Sequence, residues 1–168
     1  MFQIGDYVVS SANGICKIDG EIEQDWSGEK RLYFVLSPIR EEGAKVYIPV
    51  ENAAQRVRKA MTRQDAQELI NKLKATPELP IENEKFCEKE YKTAIYSQDP
   101  LQIVRVIKTI YARKQQRVAQ GKKTTTVDDR YFKIAIHTLH SELAYAWDCR
   151  EEEVEAKIIE AIETDYTL

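Results

Sequence analysis

The chain has 168 residues, 43% of them hydrophobic and 32% charged, a composition typical of a globular protein that can bury a core. No apolar run approaches about 18 residues, and the first residues lack the basic-then-apolar pattern of a signal peptide, so we expect a cytoplasmic protein without membrane spans. Cys16, Cys87 and Cys149 lie far apart and lack metal-ligand spacing, which argues against a disulfide framework and a zinc site.

The net charge of −3 conceals an uneven distribution of charge along the chain. Residues 101–140 contain nine basic and two acidic side chains, a net charge of +7, whereas residues 141–168 carry −7. We call the nine cations the basic block: Arg105, Lys108, Arg113, Lys114, Arg117, Lys122, Lys123, Arg130 and Lys133. Such asymmetry predicts an anionic partner for the basic block.

The first sixty residues have the pattern of short strands separated by turns. Asn13-Gly14 predicts a turn with a positive φ angle, and Gly20 interrupts the second run, which predicts a bend or a bulge there. The runs rich in β-branched and aromatic residues are 7–9, 15–22, 32–36 and 46–48, and the pattern allows a short last strand at 56–58. Strands of this length and spacing predict a small, strongly bent sheet or barrel over residues 1–58.

From residue 62 onward the apolar residues recur with the period of a helix. Thr62 and Asp65 form a capping-box pattern that predicts the start of the first helix. A second helix is expected over 82–96, and Asp99-Pro100 predicts the start of a third that ends near residue 119.

Two more helices are expected after the basic loop 120–126. Thr126 is expected to cap the first of them, and Asp148 with Glu151 is expected to start the second. The predicted inner face of the first is Tyr131, Ile134, Ala135, Leu139, Leu143 and Ala146, and that of the second is Val154, Ile158 and Ile162. The predicted fold class is therefore α+β, with an all-helical module of four or five helices over 62–168.

The residue types that carry catalysis or bind metals are poorly placed in this chain. His137 and His140 share a helix face, but no further ligand lies at metal-binding spacing, so a packed or surface pair is the better interpretation. Ser10 and Ser11 stand in no nucleophile motif, and no glycine-rich phosphate loop is present. We therefore expect a protein that is not an enzyme and that uses no cofactor.

The basic block favours contact with nucleic acid, mainly through phosphates. Only Asp128 and Asp129 interrupt it, whereas solvated helix faces usually mix both signs. Two alternatives stay open: the cations coat a solvent-facing surface, or they pair with the acidic residues of 141–168. Trp26 lies near a predicted hairpin tip, where its ring either folds back on the sheet or is offered to a partner, whereas Trp147 is expected in the core.

Several segments of the chain resemble the CarD/CdnL family of bacterial transcription regulators. The N-terminal module of that family is shared with the RNA-polymerase-interacting domain of transcription–repair coupling factors. The matching segments are Phe2–Val9, Asn13-Gly14, Ile18, Gly28-Glu29, Tyr33–Leu36, Ile48–Ala53 and, more loosely, Ser97–Asp99 and Glu142–Ala144.

The resemblance implies a Tudor-like module that binds the β subunit of RNA polymerase, and a helical module that contacts promoter DNA without catalysis. Such proteins modulate the stability of the open complex, and we expect a monomer. The residues expected to contact polymerase are Gln24, Trp26, Arg31, Tyr47 and Ile48. Those expected to contact DNA are Lys85, Phe86, Lys89, Arg113, Lys114, Arg117, Lys122, Lys123 and Arg130.

This chain departs from the usual pattern of the family in three respects. Ser10–Asn13 replaces a more usual Tyr-Pro-x-His segment, and Gln24 and Tyr47 fall where relatives have polymerase-contacting arginines. The tryptophan that wedges into DNA in relatives falls near Glu84. Two alternatives stay open at this position: Phe86 serves as the apolar wedge, or a glutamate faces the DNA and repels it. An adaptor that binds polymerase without DNA is the alternative function.

Overall fold

The computed structural model describes the backbone of residues 1–166 and the side chains of residues 1–158 and of Glu160. The chain divides into two compact units, residues 1–61 and 62–168, which we call the N-terminal unit and the helical unit. A five-stranded antiparallel sheet forms the first and helices form the second, so the predicted α+β class is confirmed. None of the helices in the described part of the chain has the length and apolar character to cross a membrane.

The N-terminal unit is built on one open sheet. The strands are β1 (Tyr7–Ser10), β2 (Gly14–Gln24), β3 (Arg31–Pro38), β4 (Val46–Pro49) and β5 (Val57–Lys59). They follow the order β4-β3-β2-β1-β5, so that β4 and β5 are the edges. A four-residue helix, α1 (Ala53–Arg56), precedes β5.

Two features of β2 give the sheet its shape, and both were predicted. Gly14 has a φ of 67° and follows a three-residue turn that lets Ser10 pair with Gly14 across the hairpin. Further along β2 the pairing with β3 shifts between Ile18 and Gly20, which leaves Asp19 as the extra residue of a β-bulge. The bulge bends the strand near Gly20, as the interrupted alternation indicates.

One face of this sheet holds the core of the N-terminal unit. The core consists of Val8, Cys16, Ile18, Phe34, Leu36, Ile48, Ala53 and Val57, none more than 4% exposed. Phe34 and Leu36 alternate along β3 with residues that point to the opposite face, and Ile48 pairs with Phe34 on β4.

The described part of the helical unit contains five α-helices. They are α2 (Arg63–Lys72), α3 (Cys87–Tyr96), α4 (Pro100–Ala119), α5 (Thr126–Trp147) and α6 (Glu151–Tyr166). Thr62 caps α2 with the predicted capping box, in which Asp65 is the reciprocal partner. The Asp99 side chain accepts a hydrogen bond from Leu101 N at the start of α4, with Pro100 at the first helical position.

Three predicted helix starts need correction. The helix expected from residue 82 begins at Cys87, because residues 84–86 form a separate 3-10 turn. The cap of α5 is Thr125 and not Thr126, since the Thr125 hydroxyl accepts from Asp128 N. Asp148 does not start α6; it ends α5 in the left-handed conformation, with a φ of 50°.

The predicted inner face of α5 is mostly right. Tyr131, Ala135, Leu139 and Leu143 are buried, but Ile134 is 41% exposed, so its inclusion was wrong. Trp147 is buried at the end of this helix, as expected, with Lys157 Nζ 4.5 Å from its ring centroid. On α6, Val154 and Ile158 are buried, whereas the side chain of Ile162 lies outside the described residues.

Candidate functional site

Three aromatic rings cluster on the sheet face opposite the core of the N-terminal unit. The ring centroid of Trp26 lies 4.8 Å from that of Tyr33 and 5.0 Å from that of Tyr47. Tyr33 is buried, whereas Trp26 is 56% exposed and Tyr47 is 43% exposed. Both alternatives for Trp26 therefore hold at once, because the ring packs back on the sheet and still presents most of its surface. We call these three residues the aromatic patch.

Strand alternation explains why this patch forms. Phe34 and Ile48 point into the core, so their neighbours Tyr33 and Tyr47 point to the opposite face. Trp26, in the loop between β2 and β3, can fold across both rings. Ile48 itself is only 4% exposed, so its side chain belongs to the core and offers nothing to a partner. We therefore omit Ile48 from the contact residues.

Polar side chains border the aromatic patch. Gln24 and Arg31 are paired residues on β2 and β3. Arg31 Nη1 lies 3.1 Å from Glu51 Oε1, and its Nη2 lies 3.5 Å from Glu29 Oε2. These ion pairs are solvent-exposed and weak, so Arg31 can exchange partners at low cost. An exposed aromatic centre with a polar border is the usual anatomy of a protein–protein contact.

In the helical unit, the first two cations of the basic block have structural roles. Arg105 donates to the backbone oxygens of Pro77 and Glu78. Lys108 donates to the oxygen of Thr76 at 2.8 Å and to that of Lys74 at 3.3 Å. The two side chains thus hold the segment after α2 against α4.

Arg113 lies in a buried network that joins three helices. Its Nε donates to Asp128 Oδ2 at 3.0 Å, and the Tyr91 hydroxyl donates to Asp128 Oδ1 at 2.8 Å. The Asp128 side chain is fully buried, so the two hydrogen bonds and the opposite charge compensate for its desolvation. Burial, together with the hydrogen bond to Asp128, raises the pKa of Tyr91 far above its ordinary value. Arg113 is therefore a poor DNA contact.

Two other predicted DNA contacts are also paired within the helical unit. Lys114 Nζ lies 2.8 Å from Asp129 Oδ1 and 4.5 Å from the ring centroid of Phe132. Arg130 forms an ion pair with Glu88, and the Tyr131 hydroxyl donates to the same carboxylate at 2.9 Å.

The Glu88 carboxylate contacts both Arg130 and the Tyr131 hydroxyl. The hydrogen bond from Tyr131, followed by the nearby cations Lys92 and Arg130, lowers the pKa of Glu88. Arg113, Lys114 and Arg130 thus pair with acids of α5, of α3 and of the 3-10 turn that precedes α3. For these three cations, the ion pairs found among the described residues are with acids outside 141–168.

The turn between α4 and α5 contains further cations of the basic block. Arg117 Nε donates to the backbone oxygen of Lys123 at 2.8 Å, and Gly121 adopts a φ of 72°, so the turn has a defined shape. Lys122 and Lys123 are exposed there and form no ion pair with a residue that the structure describes. The same holds for Lys85, Lys89 and Lys133.

Phe86 is 59% exposed at the end of the 3-10 turn that precedes α3. It stands between Lys85 and Lys89 in a stretch that also contains Glu84, Glu88 and Glu90. An exposed Phe can act as an apolar wedge in DNA.

Reasoning from the sequence missed the acids that pair with Arg113, Lys114 and Arg130. Asp128 and Asp129 are the two acidic residues in the segment 101–140. Their isolation among nine basic residues is the signal that could have identified them as ion-pair partners of those residues. Tyr91 and Glu88 lie on a different helix, so no local pattern connects them to the basic block. Tyr33 could have been found from the alternation of buried residues along β3.

The candidates for catalysis or metal binding were two histidines, three cysteines and two serines. Within the described part of the chain, no three His, Cys, Asp or Glu side chains cluster as metal ligands. His137 is exposed and His140 is buried, which lowers the pKa of His140. Burial raises the pKa of the Cys16 thiol to about 11, which disfavours the reactive thiolate. Ser10 is buried and accepts a hydrogen bond from Asn13 Nδ2.

Residues 2–61 match the family model of the CarD-like/TRCF RID domain. The match spans the N-terminal unit, so this unit is a domain of that family, as the resemblance indicated. Domains of this family are non-catalytic interaction domains, and the match supports an RNA-polymerase-interacting function in transcription. No curated protein matches the chain.

Proposed function

We propose that this protein is a non-catalytic transcription regulator that binds the β subunit of RNA polymerase through its N-terminal unit. The match of residues 2–61 to the CarD-like/TRCF RID domain is the observation that carries this proposal. The helical unit contacts promoter DNA without reading its sequence and modulates the stability of the open complex. The protein acts as a monomer in the cytoplasm and requires no cofactor.

The aromatic patch is the proposed contact with polymerase. Trp26 and Tyr47 are the kinds of residue that dominate the energy of protein interfaces, since they bury large apolar areas at low entropic cost. Gln24 and Arg31 border these rings and supply hydrogen bonds at the rim. This chain thus relies on aromatic side chains where its relatives rely on arginines.

Exposed lysines are the proposed contact with DNA. Lys85, Lys89, Lys122, Lys123 and Lys133 are free to meet phosphates, and Arg117 adds the end of its guanidinium group. Arg113, Lys114 and Arg130 contribute to the positive potential of the surface, but their ion pairs keep them from acting as primary contacts. Contacts of this kind give affinity without sequence specificity.

Capture of RNA polymerase by the immobilised full-length chain tests the polymerase half of this proposal. The wild-type chain retains polymerase, and W26A and Y47A reduce retention by about tenfold or more because they remove anchor side chains. Y96A is the matched control, since Tyr96 is 63% exposed but lies in the helical unit. Retention that falls equally in all three variants contradicts the assignment to the aromatic patch.

The second candidate function is an adaptor that binds polymerase and leaves DNA alone. The internal pairing of Arg113, Lys114 and Arg130 favours it, because these pairs consume part of the charge that predicted DNA binding. Transcription from a defined promoter separates the two candidates. Charge reversal in the double variant K122E/K123E changes the lifetime of the open complex if the helical unit touches DNA, and leaves it unchanged in an adaptor.

A further inference from the structure

The 3-10 turn of Glu84–Phe86 presents two exposed side chains at the start of α3. Asn83 closes this turn, because its side-chain oxygen accepts from Lys85 N at 3.0 Å and its backbone oxygen accepts from Phe86 N at 3.0 Å. Lys85 and Phe86 both point to solvent, and Phe86 is 59% exposed. We call these two residues the Lys85–Phe86 tip.

The residues on either side of the tip contact the helical core. Glu84 Oε1 lies 3.5 Å from Arg113 Nη1 on α4. Cys87 is only 8% exposed and begins α3 as a packed residue. The tip therefore lies between Glu84 and Cys87, and its orientation depends on the contacts of both residues.

Arg113 is suited to be the first anchor because a guanidinium group donates in two directions at once. Its Nε is committed to the buried Asp128 carboxylate, which also receives the Tyr91 hydroxyl, so the guanidinium group cannot rotate freely. Its Nη1 is thereby aimed at Glu84. An ammonium group in the same place has no rigid fork with which to hold both carboxylates.

We propose that Arg113 is a positioning residue: by bridging Asp128 to Glu84, it fixes the Lys85–Phe86 tip in the orientation that meets DNA. In this arrangement Glu84 is an anchor of the tip through its contact with Arg113. The inference rests on the proposed function, since an oriented tip matters to activity only if the helical unit contacts DNA.

The two variants E84Q and E90Q test this proposal against a purely electrostatic account. Each removes one negative charge from an exposed glutamate of the same region, and only Glu84 contacts Arg113. If charge alone matters, both variants tighten DNA binding equally. If Glu84 anchors the tip, E84Q binds duplex DNA about two- to fivefold more weakly than E90Q, the range expected for an exposed ion pair.

Hydrogen exchange of the amides of residues 84–87 supplies a readout that needs no DNA. Exchange accelerates severalfold in E84Q and in R113K and stays at the wild-type rate in E90Q. The double variant E84Q/R113K exchanges no faster than R113K, because R113K has already removed the bridge to Glu84 that E84Q breaks. Equal behaviour of E84Q and E90Q in both measurements overturns the proposal. A wild-type chain that binds no DNA overturns the proposed DNA contact instead, and the exchange rates still decide whether Arg113 anchors the tip.

Discussion

Arg113 Nε lies 3.0 Å from Asp128 Oδ2, and the Asp128 side chain has no exposure to solvent. The two residues are fifteen positions apart and belong to α4 and α5, so their contact fastens the two longest helices of the helical unit. The sequence pattern assigns Arg113 to DNA contact, but in the structure its charge stabilises the helical unit through Asp128. The basic block therefore contains two kinds of cation. Some stabilise the fold, as Arg113 does, and others are exposed to solvent.

Removal of the cation from this buried pair is expected to destabilise the helical unit strongly. The variant R113M leaves the Asp128 carboxylate buried without a counter-charge, which costs about 3–5 kcal/mol. Chemical denaturation of the full chain measures this loss. The control K122M removes an exposed cation of the same block and changes the free energy of unfolding by less than about 0.5 kcal/mol. Similar losses in the two variants would contradict a structural role for Arg113.

The hydroxyl of Tyr91 is expected to make stability depend on alkaline pH. The pKa of Tyr91 is raised in the folded protein, whereas an unfolded tyrosine titrates near about 10. The folded state therefore keeps a proton that the unfolded state loses, and stability falls as the pH rises above about 10.

The variant Y91F measures this contribution. At neutral pH it loses about 1.5–3 kcal/mol, the value of a hydrogen bond to a charged group, and the gap from wild type narrows as the pH rises above about 10. Y96F is the control, because Tyr96 is exposed, and it is expected to follow the wild-type curve at every pH. A constant gap between Y91F and wild type across this range would show that the hydroxyl does not titrate as described.

The left-handed residue at the end of α5 offers a way to raise stability. Asp148 has a φ of 50°, a conformation that glycine adopts without steric cost. The variant D148G is expected to increase the free energy of unfolding by up to about 1 kcal/mol, and D148V is expected to decrease it because a β-branched side chain clashes there. Thermal unfolding is expected to give the highest midpoint for D148G, an intermediate one for wild type and the lowest for D148V. An unchanged midpoint in D148V would contradict the assignment of Asp148 as the end of α5.

Salt dependence is expected to reveal how many cations meet DNA. If the five exposed lysines neutralise about five phosphates, the logarithm of affinity falls with the logarithm of salt at a slope of about −4 to −5. The variant K122E/K123E should reduce the magnitude of this slope by about 2. K72E/K74E carries the same charge change on exposed lysines outside the basic block and should leave the slope close to wild type. Equal effects of both double variants would indicate attraction by net charge alone.

The local features of the fold could be read from the sequence because each has a short-range cause. Gly14 supplies the positive φ of the first turn, and Thr62 with Asp65 forms a capping box within four residues. Asp99 caps α4 by accepting a hydrogen bond from Leu101 N, two residues along the chain. In each case the interacting groups are close together in the chain, so the residue pattern determines the contact.

The features that were missed depend on contacts between distant elements. Asp148 has the side chain of a helix cap, and only the packing of α6 after α5 shows that it ends the first helix. Ile48 was chosen as a contact although strand alternation places it in the core beside Phe34. The contribution of Arg113 was misjudged because Asp128 reaches it only when α4 and α5 pack together. The sign and size of a charge block are thus visible in the sequence, whereas the pairing of its charges is not.

Hydroxyl-radical footprinting of the full-length chain, alone and with purified RNA polymerase, tests the central claim most directly. The proposed contact predicts that oxidation of Trp26 and Tyr47 slows severalfold in the complex, because binding covers the exposed part of each ring. The rate at the exposed ring of Tyr96 serves as the internal comparison and should change less than the rates at the aromatic patch. A complex in which Trp26 and Tyr47 oxidise as fast as in the free protein, or the absence of any complex, would contradict the proposed contact.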